Sequence, residues 1–163
     1  MKTKFLLLFL ILFLASASQG QTVQTRSTVE SPEEASAPVR MLYDFYRKYM
    51  EYMAVMPHSQ AFEDSLKRAC LTPKAMEQAK KMSQESGTDA LICAQDASMD
   101  GIESIRVVHI RGNNYAVIYQ DKYAKRVIQI PLTVEQVDGH YMISNVGKAT
   151  RTAYFKETNT HLQ

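Results

Sequence analysis

Residues 126–146 read RVIQIPLTVEQVDGHYMISNV, and this stretch decides the fold class. Ile128, Ile130, Leu132 and Val134 alternate with Gln129, Pro131, Thr133 and Glu135. A period of two places the apolar set on one face of a strand and the polar set on the other. Asp138-Gly139 is a hairpin turn signal, so His140 to Val146 returns as the antiparallel neighbour. Pro131 has no N–H to donate to a ladder, which points to an edge or a bulge.

Working towards the N-terminus, the same period predicts two more strands. From Ile102 onward, Ile105, Val107 and His109 alternate with Arg106, Val108 and Ile110, and Gly112-Asn113-Asn114 turns the chain. Tyr115, Val117 and Tyr119 then alternate with Ala116, Ile118 and Gln120.

Earlier still the period is helical. Val39, Leu42, Tyr46, Tyr49, Met53 and Met56 recur at steps of three and four, with Met41, Phe45 and Tyr52 widening the face. Pro57-His58 ends this helix. So broad an aromatic face suits packing on a sheet. A second helix is predicted over Ser59–Ala69, with Phe62, Leu66 and Ala69 buried. A third opens at Thr72-Pro73, an N-cap followed by proline at the first helical position, and stops at Gly87. The expected fold is α+β: three N-terminal helices packed on one face of a curved, mainly antiparallel sheet of about four strands.

The first twenty residues set the compartment. Lys2 and Lys4 precede the apolar run Phe5–Leu14, and Ala15-Ser16-Ala17-Ser18 supplies small residues for cleavage after Ala17 or Gly20. That run is short of the ~20 residues a membrane-crossing helix needs, and no cysteine stands there to accept lipid. The expectation is a cleaved signal peptide over 1–20, a polar leader over 21–37, a domain over 38–147 and a polar tail over 148–163. Export would place the domain in the periplasm or outside the cell, with no membrane attachment after cleavage. The chain has 19 Lys+Arg and 17 Asp+Glu, and loss of Lys2 and Lys4 leaves 17 of each. A neutral domain lacks the counterion-release drive towards nucleic acid, which is therefore not an expected partner.

The order of elements resembles the cone-shaped fold of nuclear transport factor two and its bacterial relatives. Within that group the chain is similar to the secreted bacterial family called domain of unknown function 3828. The likeness is carried by VRMLYDFYRKYMEYM, TDALICAQDASMDG, the strands YAVIY and RVIQIPLTV, and the closing GHYMISNV. It spans roughly Pro38 to Val146 and is most specific at Ala94-Gln95-Asp96. The resemblance implies a cone-like fold and no established activity.

Several side chains are candidates for function. Cys70 and Cys93 are the only cysteines. In an oxidising compartment they are expected to form a disulfide, contributing roughly 3 kcal/mol by closing a loop of about two dozen residues. Asp89 and Asp96 read either as turn-capping carboxylates or as a pair at a pocket mouth, one of them a general base. His109, on the strand face of Ile105 and Val107, is expected to point inward, where it could move a proton. Tyr46 and Tyr49, facing the sheet, are expected to line a pocket together with Gln95 and Asp96. No CxxC, HExxH or histidine cluster calls for a metal, and no cofactor is expected.

No nucleophile, base and orienter stand at recognisable spacing. The first reading is thus a non-enzymatic exported domain that binds a small ligand or a protein partner, with a homodimer compatible. The alternatives are an acid–base enzyme (hydrolase, isomerase or dehydratase type) using Asp96 or His109, and an immunity or inhibitor protein.

Overall fold

The computed structural model describes residues 36–55 and 59–153. Four helices and five strands follow in chain order: α1 (Ala37–Met53), α2 (Gln60–Cys70), α3 (Pro73–Ser86), α4 (Met99–Glu103), β1 (Arg106–Arg111), β2 (Asn114–Asp121), β3 (Arg126–Val137), β4 (His140–Val146) and β5 (Thr150–Ala153). The fold is α+β, with helices packed on a mainly antiparallel, open five-stranded sheet.

Helix α1 opens with Pro38 in its first turn and buries Leu42, Phe45, Tyr46, Tyr49, Met50 and Met53. That is the broad aromatic stripe of the sequence. It ends at Met53, whereas Met56, Pro57 and His58 lie outside the described residues. Helix α3 begins as its sequence requires: the Thr72 hydroxyl accepts the Ala75 N–H at 3.2 Å, and Gly87 leaves the helix at φ +69°. Its Gln78 side chain then grips β4, donating to Val146 O at 2.8 Å and accepting from Val146 N at 3.1 Å.

Helix α2 corrects the sequence reading. None of its residues is fully buried, and Phe62, expected inside, is 52% exposed; Ala69 is exposed as well. The helix is turned so that Glu63, Leu66, Lys67 and Cys70 face the body, which is an i, i+3, i+4, i+7 stripe with charge in it. Phe62 packs at the flank instead, against the Tyr52 ring at 5.2 Å.

The strand expected from Ile102 starts later, at Arg106. Ser98 accepts the Gly101 N–H at 3.2 Å and caps the short helix α4, so Ile102 is buried from a helical turn and Ile105 from the link that follows. Strand order is β1-β2-β3-β4, with β5 pairing the first half of β3. Ile128, Ile130, Leu132 and Val134 all face the core, as their alternation requires, beside Tyr115, Val117 and Tyr119 of β2. The fifth strand falls within the stretch 148–163 read as tail, so the sheet continues past residue 147; Tyr154 and Phe155 lie outside the described residues.

Pro131 sits neither at a sheet edge nor at a bulge. Strand β3 is central, and Pro131 occupies the gap where its outer partner changes from β4 to β5. Gly147 N donates to Pro131 O at 2.8 Å across that gap, so no ladder bond demands the N–H that proline lacks. A Cβ at Gly147 would stand 3.1 Å from Pro131 Cβ and Cγ. Glycine is therefore what lets the two strands share one partner.

Candidate functional site

Tyr46 and Tyr49, expected to line a pocket, are instead sealed into the core, each 0% exposed. Phe45 stacks on the Tyr49 ring at 5.5 Å and meets the Tyr46 ring edge-on at 5.4 Å. Burial, then the charge of Asp89 and the neighbouring Tyr119 hydroxyl, hold the Tyr46 phenol well above its usual range. The same desolvation, followed by Asp89, raises Tyr49. Both shifts favour the protonated phenol. Among the described residues the Tyr46 hydroxyl has no hydrogen-bond partner.

Beside them lies a half-buried polar knot. Tyr49 Oη donates to Asp89 Oδ2 at 2.7 Å, with Glu63 Oε1 at 3.4 Å. Lys67 Nζ stands between the two carboxylates, 2.5 Å from Glu63 and 3.8 Å from Asp89, and 5.4 Å from the centre of the Tyr49 ring. The side chains of Lys67, Glu63 and Asp89 are 20%, 17% and 14% exposed. The other oxygen of Asp89 accepts from Leu91 N at 2.7 Å and Ile92 N at 3.3 Å. Turn-capping is thus one of its roles and tethering α1 is the other. Glu63 and Lys67 were not among the sequence candidates. Their i, i+4 spacing on the stripe of Leu66 and Cys70 was the available signal.

The loop that carries Ala94-Gln95-Asp96 separates two concave regions. On one side a cleft of about 630 Å³ is lined by Asp96, Ser98, Asp100, Tyr119, Asp121 and Tyr123, among others. Asp100 is paired with Lys122 at 2.8 Å, and the Tyr119 hydroxyl donates back to Ile92 O. Gln95 is exposed and lines neither region. On the other side, a groove of about 730 Å³ runs between the end of α3, Cys93 and β5.

His109 shares the sheet face of Val107 and Tyr115, as expected, but the core does not extend far enough to cover it. It is exposed on β1, at the edge of the sheet, where a ring nitrogen lies 2.8 Å from Gly112 O and the ring packs on Tyr115 at 4.9 Å. A histidine on the last turn of an edge strand meets its own hairpin before it meets the core. Asp96 and His109 are therefore not brought to one cavity.

No disulfide forms: Cys70 and Cys93 are both free thiols. Cys70 ends α2 within the field of Asp44 and Lys48 of α1, and burial raises its pKa. Cys93 belongs to the separating loop, at φ +52°, with its carbonyl held by Arg151 Nη2 of β5 at 2.9 Å. The two thiols are committed to different neighbours. Among the described residues no group of three or more His, Cys, Asp or Glu side chains is placed to hold a metal ion, and no helix is long and apolar enough to cross a membrane.

No protein-family model and no curated protein matches this sequence. A solved structure does match: a protein of unknown function from Bacteroides thetaiotaomicron VPI-5482, 28% identical. The superposition has a TM-score of 0.62 and covers 68% of this chain and 88% of the other.

Proposed function

We propose that this chain is an exported, non-catalytic binding domain that meets its ligand or partner at its surface. The observation that carries this reading is the closed interior: Tyr46 and Tyr49, with Val117, Ile130 and Ile143, are 0% exposed. A ligand inside the fold would have to displace packed side chains, and cores at native density do not yield that volume cheaply. Concave space lies outside instead, along the Asp96 loop. Membership of the nuclear transport factor two-like group, near domain of unknown function 3828, belongs to the same proposal and is supported by the order of helices before a mainly antiparallel sheet. Export rests on the charged, apolar and small-residue sequence of 1–20.

An acid–base enzyme would need its proton-moving groups around one reacting atom. Of the two candidates for that role, Asp96 lines the 630 Å³ cleft and His109 does not, so the enzyme reading rests on Asp96 alone and has the weaker support. Three carboxylates at that cleft, one of them answered by Lys122, favour a neutral or cationic occupant over an anion.

The test is an amide-resolved NMR titration of the purified protein with cationic and neutral small molecules and a basic peptide. Saturable shifts confined to 94–100 and 119–124, with core amides unmoved, are the expected result. Shifts spreading through Val117 and Ile130, or a turnover that Asp96→Ala abolishes, would reverse the reading.

A further inference from the structure

The groove on the far side of the Asp96 loop has the opposite chemistry from the first cleft. Met82, Ala90 and Ala149 supply its apolar part, and Lys148 and Arg151 stand beside it. Neither cation has a carboxylate partner among the described residues: Lys148 makes no ion pair, and Arg151 spends one N–H on the Cys93 carbonyl at 2.9 Å. The one acid in the lining, Glu85, is already faced by Lys81 at 3.9 Å. Ser86 and Thr88 add hydroxyls at the same end, bonded to each other at 3.1 Å.

A groove of about 730 Å³, open to solvent, lies within the size range of small-molecule sites. Such sites join an apolar wall to a few convergent polar groups that fix orientation. Here the polar groups are two cations with donor capacity to spare. Guanidinium and ammonium donors form their strongest hydrogen bonds with anionic oxygens. We infer that this groove binds a small amphipathic carboxylate, its anionic head between Lys148 and Arg151 and its apolar body against Met82, Ala90 and Ala149. Its position also gives binding a mechanical consequence. Cys93 and Ala90 belong to the loop whose other side lines the acidic cleft through Ala94, Asp96 and Ser98. An occupant on the remaining Arg151 donors sits on the guanidinium that also holds Cys93 O, so filling the groove bears on the loop shared with the neighbouring cleft.

The experiment is titration of the purified protein with sodium hexanoate, followed by amide chemical shifts, with acetate and hexylamine as comparisons. Hexanoate is expected to give saturable shifts at Ala90, Cys93 and Ala149. Acetate should bind more weakly for want of an apolar body, and hexylamine should not bind there. Lys148→Glu is expected to weaken hexanoate by about tenfold or more, the loss of one charge-assisted contact. Its amides elsewhere should stay in place, because the Lys148 side chain makes no hydrogen bond or ion pair among the described residues. Arg151→Gln is the second variant and should weaken binding in the same direction. Absence of saturable shifts at those three amides would overturn the proposal. So would hexylamine binding as well as hexanoate, acetate binding as tightly, or both variants retaining full affinity.

Discussion

Tyr49 and Asp89, forty positions apart in the chain, are joined by a 2.7 Å hydrogen bond from phenol to carboxylate. The bond ties the last turns of α1 to the turn that follows α3, and Lys67 of α2 stands 3.8 Å from the same oxygen. Two helices therefore converge on one carboxylate of the turn after α3. Tyr49→Phe keeps the ring packing and removes only the donor. It should cost about 1.5–3 kcal/mol, the range for hydrogen bonds to charged groups, read by urea denaturation. Asp89→Ala, which also strips the contacts to Leu91 N and Ile92 N, should cost more. A Tyr49→Phe protein as stable as the parent would show that the bond is idle.

Alkaline pH should unfold the protein steeply. Tyr46, Tyr49 and Tyr119 all have phenols whose pKa burial raises above the usual value. Their protonated form is favoured in the folded state, so the stability they contribute is complete below the unfolded pKa of about 10 and declines as pH rises beyond it. If all three release protons only on unfolding, the slope approaches about 4 kcal/mol per pH unit. Denaturation midpoints between pH 8 and 11 measure it. A flat profile across that interval would mean that these hydroxyls reach solvent.

Gly147→Ala tests how β3 is shared between β4 and β5. The new Cβ would meet the Pro131 ring at 3.1 Å and the Pro131 carbonyl oxygen at 3.2 Å. A ring and a central backbone give little, so a loss of about 1–3 kcal/mol is expected, as for other overpacked sites. Thermal denaturation of the variant checks this, and an unchanged Tm would mean that the strands separate there at no cost.

How legible these contacts are in sequence depends on what sets them. Period-two alternation in β3 and the Thr72-Pro73 and Gly87 ends of α3 are local signals, and the structure follows them. The facing of α2 is not local: its stripe of Glu63, Leu66, Lys67 and Cys70 wins because Tyr49 and Asp89 wait opposite it, and apolarity alone points to Phe62. Likewise β5 carries no alternating pattern, since Thr150–Ala153 is an exposed edge held by backbone pairing. Pro131 is informative about the ladder but cannot reveal that β3 changes partners there. Of the site residues, Asp96 reaches a cleft, Tyr46 and Tyr49 belong to the core, and His109 is held by its own hairpin.

Both cysteines should be titratable as thiols without prior reduction. Burial raises the Cys70 pKa, so its thiolate fraction at neutral pH is small and alkylation should be slow. Mass spectrometry after iodoacetamide treatment should show Cys93 labelled before Cys70, and both labelled after unfolding. A protein 2 Da lighter before reduction than after it would instead establish a disulfide, consistent with an oxidising compartment.

The closed interior is tested most directly by a crystal structure of the protein under xenon pressure, because xenon enters apolar voids that exclude water. The account predicts no xenon atom between α1 and the sheet, with Tyr46, Tyr49, Val117 and Ile130 in van der Waals contact. A xenon site enclosed by those four side chains would contradict it and place the binding site inside the fold.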